Sequence, residues 1–513
     1  MTLRVDALGE KVLNVEPCKC TKLELKKTEM KLSKRLKEFL KSFWEVRSKV
    51  TVEPFVICYI LPSVLAGLAV QNLCLEKACL VNLGYDESTC RRIMQGRNEN
   101  HTAEEQNVQA LVTGMTAWSF PLQTALPGIL ALFIGAWSDR TGNRKTFMVL
   151  PILGKLISVI GIILSTIFFL QVGMNETAVL EGLPPALAGG RVAMTMAVYS
   201  YVTDITSDAE RTFRIGIITA ILTLSRPVGL ALSGIMTKRV GYNNVFMIAC
   251  VFYLTGFIYI VVRLKEKTKK TVDGEKMHTI FSMFSIKDLV ATVKVAFKSR
   301  QGSRRLQLLL ILFAYMLMVG PVLGEAQMTY WFTRYKYRFT EIDYSLFLTY
   351  SVLVGSVGSF ITIYLFTKRW KVEDSIIGVV ACLSRIAACV VYAMAPNRTV
   401  YYLGPLLDMF SSAGATSLRS IATKLVNADE IGKTSSLISI SEALVPVIYS
   451  PVYSKVYMAT MTTFTGAFYL ISVALAIPAI GILTLLFVLH KKEGNEKPGT
   501  PEMKPRDNEV TRF

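Results

Sequence analysis

Charge is what this chain has least of. Only 19% of its 513 residues are Asp, Glu, Lys or Arg, against about 25% in an ordinary soluble domain. With 52% of residues hydrophobic, that shortage excludes a second soluble domain large enough to fold alone. Histidine is scarcer still. The three present, His101, His278 and His490, all fall in loops or at segment ends, so no imidazole stands at membrane depth to carry a proton. Three of the nine cysteines, Cys74, Cys79 and Cys90, share a loop but have no histidine partners, which argues against a zinc site. No nucleophile–base set occurs at a plausible depth either, so neither an enzyme nor any cofactor or metal is expected. The N-terminus is polar and basic for too long to be a cleavable signal peptide.

What the chain has instead is apolar length. A membrane-crossing helix takes roughly 20 mostly apolar residues, and such runs recur near 53–73, 108–134, 146–171, 184–203, 214–236 and 243–263. A second set follows near 306–332, 342–367, 374–394, 401–423, 436–458 and 463–489. The expected architecture is all-α and polytopic, with 12 transmembrane helices in two six-helix bundles, 53–263 and 306–489. Before them lies a basic N-terminus, 1–52, whose residues 28–47 space Leu32, Leu36, Phe39, Leu40, Phe43 and Trp44 as an amphipathic helix. Between them lies a charged cytoplasmic linker, 264–305, and after them a disordered cytoplasmic tail, 490–513.

The net charge of +19 is explained by topology rather than by nucleic acid. The bases crowd the N-terminus, the central linker and the tail, which the positive-inside rule makes cytoplasmic. The bilayer is the partner these charges imply. Three glycosylation sequons begin at Asn100, Asn175 and Asn397, and all three then fall on the outer face. Cys74, Cys79 and Cys90 share the first outer loop, where Cys79 and Cys90 are candidates to close a small disulfide loop.

Between two of these apolar runs stands Gly135-Ala136-Trp137-Ser138-Asp139-Arg140-Thr141-Gly142-Asn143-Arg144-Lys145. This turn resembles the loop joining the second and third helices of major facilitator carriers. There the glycines let two helices approach closely, and the acid pairs with bases to gate the cytoplasmic side. The resemblance makes Asp139, Arg140 and Arg144 gating candidates, with Arg211 and Arg214 from the next cytoplasmic turn. The plainer reading is that charges flank helices because water and headgroups lie there.

A narrower resemblance is to solute carrier family 46, the proton-coupled folate transporter family. It rests on Val52-Glu53-Pro54, Asn82-Leu83-Gly84-Tyr85, Gly135-Ala136-Trp137-Ser138-Asp139, Asp204 with Arg211-Thr212-Phe213-Arg214, and Arg419 with Lys424-Leu425-Val426. The resemblance implies a major facilitator carrier of an organic anion: folate-like, cyclic-nucleotide-like or another conjugated solute. It also implies departures. Thr219 stands where that family's proton-coupling glutamate would be, Gly190 where an acid would be, and Arg338 where a loop cysteine would be.

An ionisable side chain at membrane depth costs roughly 2.5–3.5 kcal/mol on insertion scales, so it faces a cavity or a partner. Arg226, Arg385 and Arg419 are the cations at depth, and Glu325, Asp408 and Glu442 the acids. Arginine's fixed fork of donors suits carboxylate and phosphate, which makes the three arginines substrate-binding candidates. Ion pairs within the bundle are the alternative. Glu325, Glu442 and Asp408 are the proton-coupling candidates, Glu325 and Glu442 being equally explained as partners of Arg385 or Arg226. Tyr330, Trp331 and Tyr335 read as an interfacial aromatic belt.

The expectation is therefore a secondary active importer of an organic anion, coupled to protons and working by alternating access. It would sit as a multi-pass protein in the plasma or lysosomal membrane. A proton-independent uniporter or exchanger, or a non-transporting receptor on the same fold, are the alternatives.

Overall fold

The computed structural model describes residues 51–95, 103–141, 144–206, 208–264, 304–426 and 431–495. The amphipathic stretch 28–47, the sequon at Asn100, nearly all of the linker 264–305 and the tail beyond 495 lie outside these residues. Among the described residues every regular element is helical.

Helix α1 (Glu53–Lys77) opens on Glu53-Pro54. The Glu53 carboxylate accepts the backbone N–H groups of Thr51 and Val52 at 2.7 and 2.9 Å, and Pro54 occupies a first-turn position where its missing N–H costs nothing. The helix widens into a π-helical turn over Ala78–Asn82. A disulfide from Cys79 to Cys90, with Cα atoms 5.8 Å apart, then ties this end to α2 (Glu87–Gln95).

Next come α3 (Ala103–Thr141), α4 (Thr146–Ile167), α5 (Met174–Leu187), α6 (Gly190–Ile205) and α7 (Asp208–Arg263). The expected single run 184–203 is corrected here. Pro184 and Pro185 close α5 rather than open a helix, and the chain turns at Gly189 and Gly190, with φ of 82° and 54°. Only glycine takes that left-handed backbone without strain.

Eight helical segments among the described residues are long and apolar enough to cross a membrane. One of them, Phe213–Arg263, is 51 residues long, more than twice what one crossing needs. It breaks at Gly241, where φ is 77° and ψ 159°. Beyond the break the chain retraces α1: Tyr242 donates to Glu76 at 2.9 Å and Tyr253 meets Ser63 at 2.8 Å. Rising numbers on one helix thus meet falling numbers on the other, so 242–263 runs antiparallel to α1.

The second half holds α8 (Arg304–Tyr337), α9 (Glu341–Ile361) with a π-helical continuation over Thr362–Arg369, and α10 (Asp374–Met394). Then come α11 (Arg398–Tyr401), α12 (Gly404–Leu407) and α13 (Ser412–Leu425). Helices α14 (Ile431–Thr460) and α15 (Ala467–Asn495) end it, α15 running past the boundary expected at residue 489. The expected helix 401–423 is three pieces. Pro405 lacks the N–H that would continue a helix, and Gly404 sits so close under Tyr392 that a Cβ would lie 1.9 Å from its ring.

The two halves meet along α3 against α14 and α7 against α9. A Cβ on Gly128 would stand 2.0 Å from that of Ala443, and one on Gly234 would stand 2.4 Å from the Glu341 carbonyl. These are small-residue contacts that bring helix backbones together without a hydrophobic driving force.

At the end carrying the disulfide, polar bonds cross between the halves. Tyr330 donates to Asn72, Trp331 Nε1 to Thr116 at 3.4 Å, and Ser450 to the Thr116 carbonyl at 3.3 Å. Tyr330, Trp331 and Tyr335 are all buried, which corrects the reading of an interfacial belt. They pack between halves because each keeps a polar atom that finds a partner there.

Candidate functional site

Helix α8 supplies one wall of a cavity of about 440 Å³. Tyr315, Met318, Val322 and Glu325 recur at helical spacing and so share one face, with Tyr315, Met318 and Val322 on the lining and Glu325 sealed behind it. Opposite stand Arg385 of α10, Asp408 at the end of α12, Arg419 of α13 and Glu442 of α14. Five separate helices thus bring together five of the six substrate-binding and proton-coupling candidates.

These residues form two ionic clusters. In the deeper one Arg385 donates one arm to Glu325 and the other to Asp408, the latter at 2.6 Å. Ser472 and, at 3.5 Å, the Cys389 thiol both donate to the Glu325 oxygen that Arg385 does not hold. The break between α12 and α13 makes this possible. Asp408 caps α12, its N–H bonded to the Gly404 carbonyl at 2.9 Å, instead of continuing a helical stripe. Arg385 Nε and Asp408 Oδ1 are buried without a hydrogen-bond partner among the described residues. A donor and an acceptor therefore remain unmet in groups that line the cavity.

The second cluster is more open. Arg419 donates to Glu442 at 2.6 Å and to the Tyr315 hydroxyl at 2.8 Å. Its side chain is 49% exposed and that of Glu442 45%, against 13% for Arg385 and 5% for Glu325. The cavity thus deepens toward the disulfide end and opens at the opposite one. The pairing expectation is sharpened: Glu325 belongs to Arg385 and Glu442 to Arg419. Arg226 joins neither. Its side chain is exposed on α7 and makes no hydrogen bond or ion pair with any described residue.

Of the gating candidates, Arg144 bonds Asp204 at 3.1 Å and Ser138 at 2.8 Å, joining the turn after α3 to the end of α6. Arg211 and Arg214 stand in the first two turns of α7. Asp139 and Arg140 belong to the last turn of α3, and their side chains lie outside the described structure. Asn175 is exposed in the first turn of α5, and Asn397 caps α11 by accepting the Val400 N–H at 2.9 Å.

Sequence reasoning passed over several groups at depth. Lys77 is fully buried and donates to the carbonyls of Ser165, Phe169 and Val172 at 2.5–3.1 Å, so it caps the end of α4 as a basic residue should. Arg334 bonds Glu341 at 3.3 Å, Tyr330 at 3.0 Å and the Met94 carbonyl at 2.5 Å. Arg338 pairs with Glu105. Lys155, Glu181 and Arg191 sit in α4, α5 and α6. A charge inside an apolar run was the available signal for Lys155; the others stand near segment ends, where charge is ordinary.

Residues 100–450 match the Major Facilitator Superfamily. The chain belongs to that superfamily. It is a multi-pass membrane transporter, and its relatives bear out the narrower resemblance. It is 25% identical over 455 residues to a probable peptidoglycan muropeptide transporter, SLC46, of Drosophila melanogaster, covering 86% of each chain. It is likewise 25% identical over 460 residues to a lysosomal proton-coupled steroid conjugate and bile acid symporter of Gallus gallus, covering 86% of this chain and 94% of that one. Among solved structures, the human organic anion transporter MFSD10 superposes with a TM-score of 0.56 at 17% identity, over 84% of this chain and 98% of that one. A peptide transporter bound to alafosfalin gives 0.58 at 12% identity, over 86% and 96%. These likenesses show the fold.

Proposed function

We propose that this carrier moves a conjugated organic anion across the membrane together with protons, by alternating access. The observation that carries the reading is the cavity lined by two arginine–carboxylate clusters, Arg385 with Glu325 and Asp408, and Arg419 with Glu442. A solute carboxylate, sulfate or phosphate competes for an arginine already held by an acid, and matches its fork geometry. The deep cluster sets one guanidinium against two carboxylates. Low-dielectric surroundings disfavour an uncompensated negative charge, so a proton is the natural third member when the solute is absent.

The relatives support the class. One is named for steroid conjugates and bile acids with protons, and another for muropeptides. All combine an apolar or bulky body with acidic groups, which suits a cavity whose lining also includes Leu317, Met318, Val322, Ala381 and Ala476 beside the hydroxyls of Ser411, Ser412 and Thr416. The lysosomal membrane, where a proton gradient is steep, is the favoured site.

The test is uptake by the purified chain in proteoliposomes, with labelled taurocholate, a steroid sulfate, folate and a cyclic nucleotide as the panel. Accumulation of at least one of them that collapses when the pH gradient is dissipated is the expected result. Uptake indifferent to the gradient would replace the symporter with a uniporter or exchanger. No uptake of any of them would leave a receptor on the carrier fold.

A further inference from the structure

The N-terminal half carries its own arrangement of charge, on helices that do not contribute to the lining of that cavity. Helix α6 and the first part of α7 run antiparallel, Arg214 lying near Tyr201, and one side-chain bond fixes their register: Tyr199 Oη lies 3.0 Å from Thr219 Oγ1. Arg191 precedes Tyr199 by eight residues, and Arg226 follows Thr219 by seven. Both steps are about two helical turns. Each arginine therefore shares a face with the residue that makes the contact, and both rise to the same level of the bundle. Thr195 and Thr223 stand between them on the same two stripes, so Arg191–Thr195–Tyr199 runs opposite Arg226–Thr223–Thr219.

Arg191 and Arg226 are both exposed residues, and each is an electrostatic neighbour of the other. Tyr344 of α9 flanks Arg226 from the other half. The remaining charges nearby do not neutralise them. Lys155 has both Glu181 and Arg191 as electrostatic neighbours, and Glu181 is answered by Lys155 and by a hydrogen bond from Gln123. Neither Arg191 nor Arg226 has a hydrogen bond or ion pair from its side chain to any described residue. In the C-terminal half, by contrast, every arginine on the cavity wall already holds an acid.

We infer that Arg191 and Arg226 form an anion subsite of the N-terminal half, one that takes a doubly charged oxyanion head group of the carried solute. Two unpaired guanidinium groups side by side repel each other, and a dianion between them removes that repulsion while filling both donor forks. The threonine stripes leave hydroxyl groups beside it. The subsite rests on the carrier's being one for organic anions, and it adds what that reading leaves open: recognition divides between the halves. The N-terminal half supplies net positive charge, and the C-terminal half supplies the arginine–acid clusters.

Binding of two probes to the purified full chain separates the possibilities. Phenyl phosphate is a dianion near neutral pH, and methyl phenyl phosphate is its singly charged ester. The wild-type chain is expected to prefer phenyl phosphate by titration calorimetry. Arg191→Gln and Arg226→Gln should each weaken it about tenfold, the equivalent of one charge-assisted contact, with little effect on the ester. Arg191→Lys, which keeps the charge, should retain most of the affinity. A second measurement needs no variant: phenylglyoxal labelling of Arg191 and Arg226, read by peptide mass spectrometry, should be slowed by phenyl phosphate. Unchanged affinity in both glutamine variants with unprotected arginines overturns the subsite, and loss of binding in Arg419→Gln alone then keeps the anion carrier standing. Failure of both phenyl phosphate and its methyl ester to bind the wild-type chain overturns the subsite and the anion carrier together.

Discussion

Arg385 and Asp408 meet at 2.6 Å across a gap in the helical framework, one from the middle of α10 and the other from the cap of a four-residue helix. A continuous helix through 401–423 would present its side chains at a fixed 100° step. The break frees Asp408 to turn toward Arg385, and discontinuous helices of this kind are where carriers build midplane sites.

Removing the cation from this cluster should be costly. Arg385→Ala leaves Glu325, only 5% exposed, as a buried charge without its partner, and that deficit is worth about 3–5 kcal/mol. Adding Glu325→Gln to the same chain should recover part of the loss, because the stranded charge goes with it. Thermal unfolding of the two single variants and the double variant gives the coupling energy. Additive losses would show that the two residues do not depend on each other.

Arg419 should behave in the opposite way. Its pair with Glu442 is nearly half exposed, so Arg419→Ala should lower stability by less than about 1 kcal/mol. Uptake should nonetheless fall severalfold, since the side chain lines the open mouth of the cavity. Measuring both on one preparation checks the contrast. Equal loss of stability at Arg385 and Arg419 would contradict it.

How much of this could be read in advance follows from the residues themselves. The apolar runs located the helices because a membrane crossing leaves a long, nearly uncharged stretch that few other structures produce. Charge at depth located Arg385, Glu325, Asp408 and Glu442 for the same reason. Pairing was not legible. Nothing in the spacing of 325, 385, 408, 419 and 442 says which acid meets which base, because that depends on how five helices pack and on the break at Pro405. Arg334, Arg338 and Glu105 were hidden for a different reason. They stand at helix ends, where a charge normally meets water, and only the closed contact between halves makes them buried or paired. Arg191 stayed unnoticed because it opens α6, and its match to Arg226 appears only with the register set by Tyr199 and Thr219.

The contact at the disulfide end should act as a seal. Arg334 is 5% exposed and ties α8 to Asn72 of α1, to the Met94 carbonyl of α2 and to Glu341 of α9. Arg334→Ala removes all of these at once. In a chain whose native exposed cysteines are blocked, a cysteine placed at Thr116, itself 6% exposed, should then react faster with a membrane-impermeant maleimide. Conversely, cysteines at Asn72 and Tyr330, whose side chains meet tip to tip and so stand too far apart for a direct disulfide, should be bridged by a short bifunctional methanethiosulfonate and stop uptake until reduced. An unchanged labelling rate would mean that the packing of α3 against α14 alone holds this end shut.

The disulfide should feed into the same seal from a distance. Met94 is the next-to-last residue of α2, and α2 is held to the end of α1 by the bond from Cys79 to Cys90. Replacing both cysteines with serine frees α2 to move, so the carbonyl that receives Arg334 is no longer fixed. A closed loop of this length constrains the unfolded chain by about 3 kcal/mol, so stability should fall as well. Labelling at Thr116→Cys should again speed up, but by less than in Arg334→Ala, because the bonds to Tyr330 and Glu341 remain. In the combined variant the serine pair should add nothing further to the labelling rate, since its effect runs through Arg334. Independent, multiplying effects on that rate would show that the disulfide acts on another part of the interface.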